Sequence, residues 1–221
     1  MLQVFPSSEA CVPCAVVLAA GQGRRMGGCA KSALRLGELT VLEHLVTAFR
    51  GAGVEHVSVV LGPYRDLLLP LVERCGAMPV IHSLAEPELV DSQRLALEAH
   101  ASHHPGHDLI LVLGDLPLLR AEHLRLVMSA WQGRAASVQA LVPTVDGTHG
   151  HPVVLSYAAV SAIRLQQPEA GVRDWMRSHP AHIWHLPCQD QAHIADLDSP
   201  EDLRRLRQLA YPNAAHGLLP G

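Results

Sequence analysis

The feature that most constrains this chain is an alternation of short apolar runs with longer amphipathic segments. The apolar runs predict β-strands at residues 15–20, 56–61, 78–82 and 108–113. The segments between and after them predict helices at residues 41–53, 66–75, 89–100 and within 116–131. Pro70 is expected to kink or end the second helix. Strands that alternate with helices form a mostly parallel sheet covered on both faces, so the sequence predicts a three-layer α/β/α fold.

The regular alternation ends after residue 133. A strand is predicted at Ser137–Val142, and a turn beginning at Gly147 leads into another strand that ends at Leu155. These strands are expected to add an antiparallel part to the sheet. We expect one domain over residues 13–210, with residues 1–12 as a loose lead-in and 211–221 as a loose tail.

Composition excludes several classes of protein. Hydrophobic residues make up 48% of the 221 residues and aromatic residues 4%, which favours α/β layering over an aromatic-rich β fold. The formal charge of −4 argues against a nucleic-acid-coating protein. No apolar run reaches the ~20 residues of a membrane helix, and the first ten residues do not resemble a signal peptide. We therefore expect a cytoplasmic protein that binds neither nucleic acid nor membrane.

The first predicted strand leads into a glycine-rich, basic loop. It contains Gly21, Gly23, Gly27 and Gly28 and the cations Arg24, Arg25 and Lys31, with no acidic residue. Glycine lets backbone N–H groups turn toward an anion, and the cations neutralise the charge that those groups enclose. A Walker A loop would need lysine directly after the last glycine, and a dinucleotide fingerprint would need a third glycine at Met26. The loop is therefore predicted to hold a polyphosphate in another way.

A carboxylate follows the most apolar strand. Asp115 stands in Gly114-Asp115-Leu116-Pro117, directly after the strand at 108–113, at the sheet edge where the glycine loop also begins. A carboxylate that faces bound phosphates needs a cation between them, and Mg²⁺ suits a site of carboxylates and phosphates. The alternative is an aspartate that only caps a turn or a helix.

Two other groups of residues are expected to carry no site. Cys11 and Cys14 precede the first strand, whereas a redox C-x-x-C pair follows a strand, and no second pair completes a zinc site. Five dispersed cysteines fit a reducing compartment. His103, His104 and His107 lie in a helix-to-strand connection and are expected to be solvated.

Five stretches together resemble the signature of the MobA-like nucleotidyltransferases, and most closely that of the molybdenum cofactor cytidylyltransferases. They follow the family's order from Val16 to Leu203: Leu18 to Lys31, Gly114 to Pro117, Gly147 to Val153, Gly171 to Arg173, and Asp196 to Leu203. The resemblance implies a Rossmann-like nucleotidyltransferase fold. It also implies transfer of CMP from CTP to the phosphate of a molybdopterin-type acceptor, with Mg²⁺ as cofactor and a molybdoenzyme or its chaperone as a further partner.

The resemblance also assigns roles to residues. Lys31, Arg24 and Asp115 are expected to carry the reaction, and either Asp196 or Asp198 should join Asp115 at the metal. The nucleotide is expected to contact Leu18, Ala19, Ala20, Gly21, Gly23, Arg24, Lys31 and Ser92. The acceptor is expected to contact His149, His151 and Arg173. The alternatives are solvent-facing histidines and, for Arg173, a surface salt bridge.

One departure from the family pattern concerns the nucleobase. The family's base loop carries two glycines that the corresponding residues 91–97 lack, and the Gly27–Gly28 pair is typical of guanylyl-transferring relatives. GTP and acceptors such as another pterin, a sugar phosphate or an isoprenoid precursor therefore stay open. Outside this reaction class, the alternatives are a molybdopterin carrier without turnover and an NAD(P)H-dependent reductase.

Overall fold

The structure, a computed structural model, describes residues 13–210, and of residues 207–210 it describes the backbone alone. The predicted lead-in at 1–12 and tail at 211–221 lie outside the described residues, as does Cys11.

The observed elements follow the predicted alternation. The strands are β1 (Cys14–Ala19), β2 (Arg35–Leu36), β3 (Leu39–Thr40), β4 (Val57–Leu61), β5 (Met78–Ile81), β6 (Leu109–Leu113), β7 (Ala140–Val145), β8 (Thr148–His149), β9 (Val153–Leu155) and β10 (Ile183–Pro187). The α-helices are α1 (Val41–Gly51), α2 (Arg65–Arg74), α3 (Leu89–His103), α4 (Ala121–Gln132), α5 (Tyr157–Arg164), α6 (Val172–Ser178) and α7 (Pro200–Ala210). No helix in residues 13–210 is both long and apolar enough to cross a bilayer.

One large sheet organises the molecule. Its strands run in the order β10-β7-β9-β6-β1-β4-β5, with β8 paired to β7, while β2 and β3 form a separate hairpin. β1 lies parallel to both β4 and β6, and β4 lies parallel to β5. β9 runs antiparallel to β6 and to β7, whereas β10 is parallel to β7. The prediction of a mostly parallel sheet with an antiparallel C-terminal part is confirmed.

Helices cover both faces of the sheet because successive side chains of a strand point to opposite faces. On β1, Val17 packs into a core shared with Leu45 and Phe49 of α1, while Val16 packs into a second core shared with Leu97 of α3 and Ile163 of α5. All six residues of β1 are buried, as expected of a central parallel strand. β1 is therefore held rigidly from both sides, and so is the point where its following loop begins.

The structure also contains elements that the sequence pattern did not predict. α5 is only eight residues long, and Ser156 caps it by accepting a hydrogen bond from the Ala159 amide. β10 is a sheet-edge strand of half-buried and exposed residues, so it lacks the apolar run that reveals an inner strand. β7 extends to Val145, beyond the predicted end, and α2 continues past Pro70 to Arg74.

Candidate active site

The glycine loop leaves β1 and folds back on itself. Gly23 has a φ of 58°, and its carbonyl accepts hydrogen bonds from the amides of Met26 (2.8 Å) and Gly28 (3.0 Å). A Cβ at position 23 would lie 2.0 Å from the carbonyl oxygen of Cys29. Only glycine satisfies both the left-handed backbone and this close approach, so Gly23 fixes the curvature of the loop.

The ends of β1 and β6 are tied together next to this loop. The Gly114 amide donates to the Leu18 carbonyl at 2.9 Å, and the Ser32 hydroxyl donates to the Gly114 carbonyl at 2.7 Å. A Cβ at position 114 would lie 2.7 Å from the Ser32 hydroxyl oxygen. The close packing at Gly114 brings the next residue, Asp115, against the start of the short 3-10 turn Lys31–Ala33.

Lys31 links two carboxylates that come from distant parts of the chain. Its Nζ lies 3.1 Å from Oδ2 of Asp115 and 2.5 Å from Oδ1 of Asp198. The second oxygen of Asp198, Oδ2, accepts a hydrogen bond from Nη1 of Arg25 at 2.8 Å. The side chains of Lys31 and Asp115 are only 18% and 20% exposed, so this pair is weakly screened by water.

Backbone contacts bring Asp198 to this position. The Leu197 amide donates to the Asp115 carbonyl at 3.0 Å, which joins the segment before α7 to the end of β6. At the start of α7, the Asp202 carboxylate accepts hydrogen bonds from the amides of Asp198 (3.3 Å) and Ser199 (2.9 Å). Because the backbone on both sides of Asp198 is fixed, its carboxylate is held facing Lys31.

A cavity of about 480 Å³ opens over these side chains. The residues predicted to contact the nucleotide all line it: Leu18, Ala19, Ala20, Gly21, Gly23, Arg24, Lys31 and Ser92. Asp115, Asp198 and Arg25 line the same cavity, and Leu68, Pro87, Glu88 and Leu89 contribute to its wall on the side of α2 and α3. The cavity therefore combines a polar, charged part with a part that is more apolar, as nucleotide sites require.

Burial and the local charges shift the acidity of these groups in different directions. Burial raises the pKa of Asp115, and the Lys31 ammonium only partly opposes that shift. The hydrogen bond from Lys31 lowers the pKa of Asp198. Burial alone would lower the pKa of Lys31, but its interactions with Asp198 and Asp115 raise it on balance. Lys31 is thus a fully charged ammonium group at neutral pH.

The carboxylates fit a divalent cation that prefers oxygen ligands. Oδ1 of Asp115 is buried and has no hydrogen-bond partner among the described residues. Its lone pairs are therefore available to coordinate a cation. Residues 13–210 contain no group of three or more His, Cys, Asp or Glu side chains arranged around one point. The protein therefore offers two carboxylates, which matches Mg²⁺ sites completed by substrate phosphates and water.

Asp196 and Asp198, which the sequence left as alternatives, occupy different environments. Asp198 lines the cavity, and Asp196 is not among the residues that do. Burial and the nearby charges of Asp198 and Asp115 raise the pKa of Asp196, so it lies within electrostatic reach of the pair. Asp198 is the carboxylate that Lys31 contacts directly.

The two arginines of the loop also differ. Arg24 lines the cavity, but its guanidinium contacts Gln22 at 2.7 Å and Glu86 at 3.3 Å rather than the acidic pair. Arg25 is the residue that contacts Asp198. Arg25 was missing from the predicted site residues, although the family-like spacing Gly-x-Gly-x-Arg-Met-Gly places its arginine at position 25.

The three predicted acceptor residues lie elsewhere, since none of them lines the cavity. His149 is exposed on β8 and stacks on His185 of β10 with ring centroids 4.9 Å apart. Burial, His185 and the positive charge of Arg173 lower the pKa of His149, which places Arg173 in its vicinity. His149 and Arg173 thus lie near each other at the surface.

His151 is in a different position from His149. Its Nδ1 is shielded from solvent and has no hydrogen-bond partner within residues 13–210, and burial lowers its pKa to about 4. Its backbone amide donates to the His193 carbonyl at 2.8 Å, and its carbonyl accepts from Nδ1 of His193 at 2.7 Å. The imidazole of His151 is therefore neutral and packed inside the fold. The backbone of His151 ties the segment before Asp196 to the turn at Gly150.

Known proteins are similar to this chain in sequence and in fold. Residues 15–183 match the family model described as the MobA-like NTP transferase domain. The bifunctional protein GlmU of Corynebacterium aurimucosum is 34% identical over 145 residues, which cover 64% of this chain and 30% of GlmU. The chain spans about a third of the length of the curated relatives that it matches.

Solved structures give the same result over a larger share of the chain. The protein Rv0371c of Mycobacterium tuberculosis H37Rv superposes with a TM-score of 0.75 at 26% identity, covering 90% of this chain and 98% of that one. A complex of Rv0371c with manganese superposes with a TM-score of 0.67 at 25% identity, covering 88% and 97% of the two chains. Because the family model spans well over half of its residues, this chain belongs to the family of the MobA-like NTP transferase domain.

Proposed function

We propose that this protein is a nucleotidyltransferase that moves CMP from CTP to the terminal phosphate of a molybdopterin-type cofactor and releases pyrophosphate. The observation that carries the proposal is the convergence of Lys31, Asp115 and Asp198 in one cavity with the glycine loop after β1. A glycine loop that contributes cations binds polyphosphate, and two facing carboxylates bind a metal that shares its charge. This combination serves transfer at a phosphorus atom.

The reaction needs positioning and neutralisation of charge more than a protein nucleophile. An oxygen of the acceptor phosphate attacks the α-phosphorus of the nucleotide and forms a new P–O bond. The bond from the α-phosphorus to the bridging oxygen breaks, and pyrophosphate leaves with that electron pair. The attacking oxygen is already anionic and pyrophosphate is a good leaving group, so no Ser/His/Asp arrangement is required.

Each part of the cavity has a role in this proposal. The backbone amides of the loop from Gly21 onward hold the β- and γ-phosphates, with Arg24 and Arg25 as counter-ions. Lys31 reaches the α-phosphate and stabilises the negative charge that develops there. Ser92 and the wall formed by α2 and α3 contact the nucleoside.

Asp115 and Asp198 would hold a divalent cation, with Asp196 close by. The buried Oδ1 of Asp115, which has no hydrogen-bond partner among the described residues, could bind such a cation. Mg²⁺ bound there would supply charge neutralisation and align the phosphate groups. The manganese complex of the similar protein Rv0371c supports the use of a divalent metal by this fold.

The acceptor is proposed to reach the cavity from the side of β8 and α6. His149 and Arg173 would meet the negatively charged phosphate, since both are exposed and Arg173 has no ion pair with a described acidic side chain. A guanidinium group is well suited to phosphate because it donates two parallel hydrogen bonds. The packed imidazole of His151 would act by shaping the turn that carries His149.

The experiment that tests this function measures pyrophosphate release with CTP, GTP, UTP and ATP against a panel of phosphorylated acceptors in the presence of Mg²⁺. The panel contains molybdopterin, a second pterin phosphate, a sugar phosphate and an isoprenoid-precursor phosphate. Release with CTP and molybdopterin alone supports the proposal. Release with GTP, or with another acceptor, replaces the substrate assignment but keeps the reaction class.

Two further outcomes would replace the reaction class itself. Tight binding of molybdopterin without turnover of any nucleotide identifies a carrier, and saturable binding of NAD(P)H identifies a reductase. Both measurements use the same protein preparation, and equilibrium dialysis with molybdopterin separates the carrier from an inactive preparation.

A further inference from the structure

Three of the four oxygens of the acidic pair are already bonded to cations of the glycine loop. Lys31 bonds Oδ2 of Asp115 and Oδ1 of Asp198, and Arg25 bonds Oδ2 of Asp198. Oδ1 of Asp115 is the oxygen left without a partner among the described residues. The loop that is proposed to bind phosphate and the carboxylates proposed to bind metal are therefore each other's counter-ions.

A divalent cation and the Lys31 ammonium compete for the same two carboxylates. An ammonium group 3.1 Å from Asp115 and 2.5 Å from Asp198 leaves no room for a metal ion that bridges them, and the two positive charges repel each other. Lys31 therefore has to leave before a metal can bridge the two carboxylates. Because its side chain is only 18% exposed, a displaced Lys31 needs another anion in the cavity rather than water.

The phosphates of a nucleotide are the anion that this cavity is proposed to receive. We propose that Lys31 is an exchangeable counter-ion that couples nucleotide and metal binding. When a nucleotide binds, the Lys31 ammonium moves from Asp115 and Asp198 to the α-phosphate, and the two carboxylates become available to a divalent cation. Arg25 makes the same exchange at Asp198 more weakly, since its side chain is 79% exposed. This inference rests on the proposed function in taking a polyphosphate as the ligand and Asp115 and Asp198 as the residues that hold the metal.

Such an exchange has a thermodynamic consequence. A divalent cation alone must displace Lys31 without giving it a new partner, so it binds weakly, whereas a cation that binds with the nucleotide does not bear that cost. By linkage, the metal strengthens nucleotide binding by the same factor as the nucleotide strengthens metal binding. Couplings between sites commonly span about 5- to 150-fold, and we expect this one to be about tenfold or more.

The test is the affinity for Mn²⁺ alone, measured on the full chain by titration with detection of free Mn²⁺ by electron paramagnetic resonance. Lys31→Met removes the ammonium but keeps an unbranched side chain as far as Cε, and it should bind Mn²⁺ about tenfold or more tightly than the wild type. Arg25→Met should bind Mn²⁺ more tightly by a smaller factor. Arg24→Met is the matched control, because it also removes one positive charge from the loop, whereas the Arg24 guanidinium contacts Glu86 rather than Asp115 or Asp198.

The outcomes separate this inference from the proposed function. Unchanged or weaker Mn²⁺ binding by Lys31→Met overturns the inference, even if the wild type transfers nucleotides. An equal gain in Arg24→Met also overturns it, since only the overall charge of the loop would then matter. Tighter binding by Lys31→Met with no gain in Arg24→Met supports it, even if no acceptor is found. Should Lys31→Met fail to fold by circular dichroism, the exposed Arg25→Met against Arg24→Met decides the result.

Discussion

The ammonium group of Lys31 lies 3.1 Å from the carboxylate of Asp115, although 84 positions separate the two residues. Lys31 starts the turn after the glycine loop, and Asp115 follows β6. β1 and β6 are adjacent parallel strands, with Leu18 in register with Leu113, so the segments that follow them emerge at the same edge of the sheet. The contact is therefore a product of strand order, and it makes both residues sensitive to substitution.

We expect Lys31→Ala to lower turnover by about 10²- to 10³-fold, the loss typical of removing one donor to a developing negative charge. The value of kcat should fall, because the interaction with the α-phosphate strengthens as charge builds there. Steady-state pyrophosphate release measures the effect. Arg65→Ala, on the exposed first turn of α2, is the control for removing one positive charge. A Lys31→Ala variant with wild-type kcat would remove Lys31 from the mechanism.

The acidic residues should differ in their contribution to metal-dependent turnover. Asp115→Asn and Asp198→Asn should each reduce it by about a hundredfold or more, since a bound metal contributes several kcal/mol of charge stabilisation. Asp196→Asn should reduce it by less than about tenfold, because Asp196 is not among the residues that line the cavity. Pyrophosphate release across a Mg²⁺ titration measures all three variants. Full Mg²⁺-dependent activity in Asp115→Asn would place the site elsewhere.

Two alanine substitutions within the same loop should affect stability differently. Gly23→Ala places a Cβ 2.0 Å from the Cys29 carbonyl oxygen on a backbone with φ of 58°, and should destabilise the protein by about 2–3 kcal/mol. A Cβ at position 21 has no atom within 4 Å, so Gly21→Ala should change the free energy of unfolding by less than about 0.5 kcal/mol. Urea unfolding followed by circular dichroism measures both. Equal stability of the two variants would contradict the loop conformation.

Glu43 should make stability depend on pH in the acidic range. Burial alone would raise the pKa of Glu43, but hydrogen bonds from Thr40 and Arg74 lower it from 4.5 to about 2. A carboxyl whose pKa is lower in the folded than in the unfolded state stabilises the protein above its unfolded pKa. That contribution is complete above about pH 5 and declines as pH falls from 4.5 toward 2.

The corresponding variant is Glu43→Gln, which should cost about 1–2 kcal/mol at pH 7 and clearly less at pH 3. Urea unfolding at the two pH values measures the difference. Glu122→Gln is the control, since Glu122 is an exposed glutamate in the first turn of α4. A loss in Glu43→Gln that is the same at both pH values would show that the side chain acts by packing alone.

Local patterns in the chain were enough to predict the inner strands of the sheet and its mostly parallel arrangement. Side chains that face the same side of a strand or a helix recur at fixed intervals along the chain. The apolar runs of β1 and β6 and the periodicity of α1 can therefore be recognised from the sequence alone. The elements that escaped prediction include α5, β10 and the β2–β3 hairpin, which are short or lie at the sheet edge. α5 is only eight residues long, and β10 consists of half-buried and exposed residues, so neither has a long apolar pattern that would reveal it.

The sequence by itself determined that a glycine-bent, basic loop follows a buried strand and that an aspartate follows another, because these features lie within a few consecutive residues. Only the tertiary structure showed that Asp198, rather than Asp196, contacts Lys31, and that Arg25, rather than Arg24, contacts Asp198. Each choice separates residues one or two positions apart on the chain. Their side chains point in different directions because of the loop backbone, and contacts from distant segments, such as that of Leu197 with Asp115, set that backbone.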